Sequence, residues 1–99
     1  MRPIHLVDLD KTRPAVVLTR EIVRPHMRTV TVAPITSVIR GLSPEVDVGP
    51  PNGLDQASVV NCDNLQTISV DRLGRQVGVL LAEQERDLTE AILAAFEQD

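Results

Sequence analysis

Aromatic side chains are almost missing from this chain: Phe96 stands alone, with no tyrosine and no tryptophan. A protein that grips single strands by stacking bases on rings needs several such platforms, so any contact with nucleic acid here must rest on charge and hydrogen bonds. Cysteine is just as scarce. Cys62 is the single thiol, which excludes an internal disulfide and fits a reducing compartment. Set in an apolar run, it reads as a small core residue rather than a nucleophile. Two distant histidines, His5 and His26, with no Cys/His cluster, argue against a metal site and leave no cofactor expected. No apolar run approaches the ~20 residues of a membrane-spanning helix, and nothing has the pattern of a signal peptide, so no membrane partner is expected.

What the chain does contain is aliphatic. Its 99 residues are 42% apolar, mostly Val, Leu, Ile and Ala, enough for one compact core and too few for two. The net charge of −4 is unevenly spread. Residues 1–40 hold seven basic groups against three acidic ones (+4), and residues 41–99 hold three basic against eleven acidic (−8). That asymmetry points to a basic face for an anionic partner, or to ordinary solvated charges.

Hydrophobic patterning divides the chain into short elements. Residues 4–9 read as a strand closed by a tight turn at 10–12, and residues 14–19 as a second strand with Pro14 at its first position. A connecting turn over 20–26 leads to a strand at 29–34, where Thr and Val alternate. A short strand at 45–48 lies between Gly41-Leu42-Ser43-Pro44 and the turn-rich Gly49-Pro50-Pro51-Asn52-Gly53. Residues 57–63 and 65–68 read as a strand pair or one bent strand; Ser69 caps a helical turn through Leu73, and 76–81 is a last strand. Leu88, Ala91, Ile92, Ala95 and Phe96 fall on one stripe of a closing helix. Many short strands followed by one amphipathic helix indicate a small antiparallel barrel with the helix packed on it.

Three runs carry polar tips that a structural strand does not need: TRPAVVLT (residues 12–19), VAPITSVIRG (32–41) and SVVNCDNLQTI (58–68). Arg13, then Thr36 and Ser37, then Asn61, Asp63, Asn64 and Gln66 stand at their ends, all able to grip a phosphate or a base edge. Together these runs resemble the MazF/PemK family, the ribonuclease toxins of bacterial type II toxin–antitoxin pairs. The resemblance extends over roughly the whole chain, from IHLVDLD (4–10) to the closing helix. It implies a single domain over residues 1–99, mainly β with a C-terminal helix, in the SH3-like barrel of CcdB/MazF-type toxins. It also implies a homodimer in the bacterial cytoplasm, neutralised by a cognate acidic antitoxin. The expected activity is metal-independent, sequence-selective cleavage of single-stranded RNA (mRNA in the first place, with tRNA or rRNA left open) to 2′,3′-cyclic phosphate and 5′-hydroxyl ends.

RNA can be cut without a metal because its 2′-hydroxyl is an internal nucleophile; the enzyme then needs a multidentate cation, a neutral donor to the phosphate, and a base. The resemblance assigns these parts to Arg13 of Thr12-Arg13-Pro14, Thr36 of Pro34-Ile35-Thr36-Ser37, and Asp63 of Cys62-Asp63-Asn64. Each has a plain structural reading beside it: a surface arginine at a turn, a hydroxyl satisfying backbone, and an Asx turn. Lys11, Thr12, Arg20, Ser37, Arg40, Asn61, Asn64 and Gln66 are the candidate RNA-binding residues. Two departures stand out. The longer G-x-E-Q-x-G loop of many members is missing before Arg13, and Asn61 replaces the second arginine of PemK-type members. Arg24, Arg28 and His26 are further groups available to such a reduced set. Two other functions are compatible with the fold. A non-catalytic gyrase poison like CcdB is one, although CcdB-like chains depend on a tryptophan near the C-terminus and this chain ends Phe96-Glu97-Gln98-Asp99. A barrel module that only binds RNA or protein is the other.

Overall fold

A computed structural model describes residues 2–41 and 44–97. The expected turn over residues 41–44 therefore lies partly outside the described residues, as do Gln98 and Asp99. Seven strands run in chain order: β1 (Pro3–Asp8), β2 (Thr12–Val17), β3 (Thr29–Thr36), β4 (Glu45–Val48), β5 (Ser58–Asn61), β6 (Gln66–Ser69) and β7 (Leu73–Val79). Helix α1 (Ala82–Ala95) closes the chain. The strands form one antiparallel sheet in the order β4-β5-β3-β2-β1-β7, with β6 also paired to β3.

The long strand β3 explains that branching. Its first half pairs with β6 (Val30 opposite Ile68), its middle with β2 (Ala33 opposite Val16), and its end with β5 (Thr36 opposite Val59). β5 and β6 therefore meet opposite ends of β3, and the expectation that they form a pair or one bent strand is corrected. The 3₁₀ turn Cys62–Asn64 between them redirects the chain. A strand coiled this tightly buries both of its faces. Val16 belongs to a core with Ile4, Ile35, Val60, Leu80 and Leu88 under the helix, while its neighbours Ala15 and Val17 join Val7, Val30, Val32 and Ile68 on the opposite side. The β-branched runs supply both layers, which is why they read as nearly continuous rather than alternating.

Several boundaries move. β2 begins two residues before Pro14, so Thr12 and Arg13 lie within the strand, and β3 runs on to Thr36. Pro14 is tolerated inside β2 because the β3 ladder begins only at Ala15. β7 starts at Leu73 rather than residue 76. In α1, Leu88 and Ala91 are buried as the stripe requires, but Phe96 lies past the helix end and is 68% exposed. No described helix is long and apolar enough to cross a membrane.

The hydrogen-bonded path ends at β4 and β7, and side chains rather than a backbone ladder join those ends. Asn52, buried in the loop after β4, donates through Nδ2 to the Val79 carbonyl of β7 at 3.0 Å. Gln84, in the first turn of α1, donates through Nε2 to the Asp47 carbonyl of β4 at 3.0 Å. The loop lies so close to β7 that a Cβ at Gly78 would fall 1.7 Å from the Asn52 carbonyl oxygen, and Gly53 turns away at φ +88°.

Candidate active site

β1 and β2 are joined by residues 9–11 alone, a turn closed by the Leu9 N–H donating to the Lys11 carbonyl at 3.2 Å. That tightness sets Arg13 opposite Val7 and brings the Asp10 carboxylate to its guanidinium, with Nη2 to Oδ2 at 2.9 Å. Arg13 is only 23% exposed, against 73% for Asp10. The Nε of Arg13 is buried and has no hydrogen-bond partner among the described residues. A buried donor left unpaired is costly, and an acceptor oxygen brought by a ligand would satisfy it.

Thr36 is the last residue of β3, and its Oγ1 accepts the Val38 N–H at 3.1 Å. Its own O–H remains free to donate into the groove, with the exposed Ser37 beside it. The structural reading of this hydroxyl, a bond to nearby backbone, is met by its oxygen alone. Across from it, Asn61 ends β5, and its Oδ1 accepts the Asp63 N–H at 3.0 Å. The Asx-type bond is thus made by Asn61 and not by Asp63, whose carboxylate is exposed and holds no hydrogen bond or ion pair among the described residues. Within the same 3₁₀ turn Cys62 points into the core. Burial, with the Asp63 charge as a smaller cause, pushes its thiol up from about 9.0 to about 11.

These elements enclose a groove of two joined hollows. One, of about 450 Å³, is lined by Lys11, Arg13, Thr36, Ser37, Arg40, Asn61, Asp63 and Asn64, with Pro34, Val38 and Glu45. The other, of about 360 Å³, shares Lys11, Arg13, Thr36 and Ser37 and continues past Thr12 to Asp55, Gln56, Ser58 and Arg75. The Glu45 carboxylate shapes one rim by accepting the Gly41 N–H at 2.8 Å and the Arg40 N–H at 3.2 Å. The three candidate catalytic residues therefore share one groove with Lys11, Thr12, Ser37, Arg40, Asn61 and Asn64. Arg20 and Gln66 line neither hollow. Arg20 sits in the β2–β3 connection, its carbonyl accepting the Val23 N–H at 3.1 Å, and Gln66 on β6 pairs with Val32 of β3. Arg24 and His26, in the 3₁₀ turn of that same connection, also stand off the groove, as does Arg28.

Asp55, Gln56 and Arg75 line the smaller hollow although the sequence does not single them out as site residues, and neither does it single out Asp10, which lines neither hollow but holds Arg13. Only Asp10 left a readable trace, its three-residue spacing from Arg13 across a tight turn. Among the described residues no group of three or more His, Cys, Asp and Glu side chains is gathered as a metal site.

A small coiled antiparallel sheet with one closing helix, and a groove of cations and hydroxyls at its strand ends, defines a class of bacterial toxin. The chain belongs to the PemK-like, MazF-like toxins of type II toxin–antitoxin systems, the family that matches residues 4–96. It is 63% identical over 99 residues to Endoribonuclease MazF3 of Mycobacterium tuberculosis (strain ATCC 25618 / H37Rv), covering 100% of this chain and 96% of that protein. Probable endoribonuclease MazF5 of the same strain is 36% identical over 86 residues, covering 86% of this chain and 79% of that protein. Among solved structures, the Mycobacterium tuberculosis toxin MazF-mt6 superposes with a TM-score of 0.96 at 62% identity, covering 99% of each chain.

Proposed function

We propose that this toxin is a metal-independent, sequence-selective endoribonuclease that cuts single-stranded RNA through attack of a 2′-hydroxyl on the adjacent phosphorus. The endoribonuclease class follows from the family and from 63% identity to MazF3 along the whole chain. The chemistry is read from the groove, and one observation carries it: a mostly buried Arg13 with an unpaired Nε beside the free O–H of Thr36.

Arg13 holds two phosphoryl oxygens through its planar fork, and Thr36 donates to one of them as negative charge builds in the transition state. Asp63, its carboxylate uncommitted, takes the 2′-hydroxyl proton. The 2′-oxygen–phosphorus bond forms, the bond to the 5′-oxygen breaks, and that leaving oxygen takes a proton from the solvent side of the groove. The products are a 2′,3′-cyclic phosphate and a 5′-hydroxyl. Asp10 competes with the phosphate for Arg13, so it holds the fork in place before RNA arrives and is displaced or shared afterwards.

Lys11, Ser37, Arg40, Asn61 and Asn64 extend the groove for the flanking nucleotides and the edges of splayed bases. The same cations suit an acidic antitoxin segment, the partner that a type II toxin implies. A second copy of the chain completes a homodimer, and the bacterial cytoplasm is where RNA and antitoxin are met. Incubating the pure protein with RNA in EDTA and sequencing the new 5′ ends tests the reading. Discrete cuts bearing 5′-hydroxyls are expected; cleavage that stops on chelation and returns with Mg²⁺ overturns the mechanism.

A further inference from the structure

Arg75 stands on β7 at a place where the ladder to β1 is broken. His5 pairs with Gln76 and Val7 with Leu73, so Leu6 alone faces both Gly74 and Arg75. The extra residue is a β-bulge, a device that re-aims a side chain at the cost of regular pairing. Gly74 is the residue that permits it, since a Cβ there would lie 2.9 Å from the Leu6 carbonyl oxygen. The outcome is that Arg75 lines the smaller hollow with Val77, whereas Leu73, two residues before it and on the same face of a regular strand, packs against the core of Val7 and Val17 instead.

Arg75 is exposed and has no hydrogen bond or ion pair among the described residues. Arg13 and Arg2 differ in this respect, each being matched to a carboxylate. The side-chain amide of Gln56 and the carboxylate of Asp55, also lining this hollow, hold no bond among the described residues, whereas the Ser58 hydroxyl is already spent on the Gln56 carbonyl at 3.1 Å. The hollow, about 360 Å³, is at the lower end of the range for small-ligand sites and adjoins Arg13 and Thr36 directly. A bulge that directs an unmatched guanidinium into such a space has no evident part in holding the fold.

We propose that this hollow is a nucleotide subsite next to the position of cleavage, in which Arg75 holds the phosphate adjacent to the one bound by Arg13 and Thr36. The proposal rests on the reading of the groove as an RNA site. Arg75 is a positioning residue here: it does not touch the reacting atoms but fixes the strand so that the 2′-hydroxyl lies in line with its phosphorus.

Single-turnover cleavage of a short RNA cut by the wild-type protein tests this, using a series in which one flanking phosphate at a time is replaced by a neutral methylphosphonate. With wild type, neutralising one particular flanking phosphate should slow cleavage about tenfold or more, as for loss of a charge-assisted contact. Arg75→Gln should slow the unmodified RNA by a similar factor, yet lose nothing further from that same methylphosphonate. Arg75→Lys should recover part of the rate, and thermal melting should be unchanged in both variants. Cleavage by Arg75→Gln within twofold of wild type overturns the proposal, as does a loss that adds in full at every modified position or a large fall in melting temperature. If the wild-type protein cuts no RNA at all, the function proposed for the groove fails, and that result is plainly different from a silent Arg75 substitution.

Discussion

Asn52 and Gln84 bond to each other twice, Nδ2 to Oε1 at 2.6 Å and Nε2 to Oδ1 at 3.2 Å. Neither amide has capacity to spare. Asn52 also accepts the Gly49 N–H at 3.1 Å, and Gln84 accepts the N–H of Leu81, the N-cap residue of α1, at 2.8 Å. With their bonds to Val79 and Asp47 they join β4, β7 and α1 where no ladder does. A buried network that is fully satisfied rigidifies its surroundings, and one that loses a member leaves the rest unpaired.

Asn52→Ala should therefore destabilise the fold by about 2–3 kcal/mol, the order expected when buried partners are stranded. Gln84→Ala, nearer the surface, should cost less. Urea unfolding followed by circular dichroism measures both; a shift within about 0.5 kcal/mol for Asn52→Ala, the ordinary surface value, would show that the seam is not structural.

Arg13→Ala should lower cleavage by ~10²-fold or more, as for loss of a transition-state donor. Its melting temperature should scarcely move, because the partner Asp10 is 73% exposed and such pairs contribute little to stability. Thr36→Ala should cost less, a neutral hydrogen bond being weaker than a charge-assisted one. Near-full activity in Arg13→Lys would rule out a two-oxygen grip on the phosphate.

Two carboxylates compete for the role of base, and their asparagine variants separate them. Asp63→Asn should nearly abolish cleavage while RNA binding survives or tightens, since a negative charge near phosphate is removed. The turn should persist, because its local bond comes from Asn61. Asp10→Asn should leave substantial cleavage and loosen only the placement of Arg13. Single-turnover rates and RNA affinity on both variants decide this: an Asp63→Asn rate within about threefold of wild type, far short of the typical ~10²-fold general-base effect, assigns the role elsewhere.

Cys62 is buried, and its thiol is pushed up to about 11 from 9.0. The unfolded chain then releases this proton first, so stability should be intact below pH 9 and fall as pH rises from 9.0 toward 11. Cys62→Ala should lack that component of alkaline destabilisation. The check is thermal melting of both proteins across this range, and parallel curves would contradict it. At neutral pH the native thiol should resist iodoacetamide until the protein is unfolded, since the thiolate is the reactive form.

Much of this molecule is legible along the chain. The β-branched runs mark the strands, the stripe from Leu88 to Ala95 marks the helix, and the groups at the run ends mark Arg13, Thr36 and Asp63, three residues that share one groove. Local chemistry suffices for the elements, because side-chain periodicity is a property of neighbouring residues, whereas Arg13, Thr36 and Asp63 are singled out by the family resemblance, each having a plain structural reading beside it. Partners far apart in sequence are another matter. That β5 and β6 both pair with β3, that a bulge opposite Leu6 aims Arg75 into the groove, and that Arg20 and Gln66 fall outside it depend on which strands meet and in what register. The pairing of Asn52 with Gln84, 32 residues away, is of the same kind. Its amides carry no local signal in a Pro-Pro-Asn-Gly turn or a polar first helical turn, and only closure of the coiled sheet gives them something to hold.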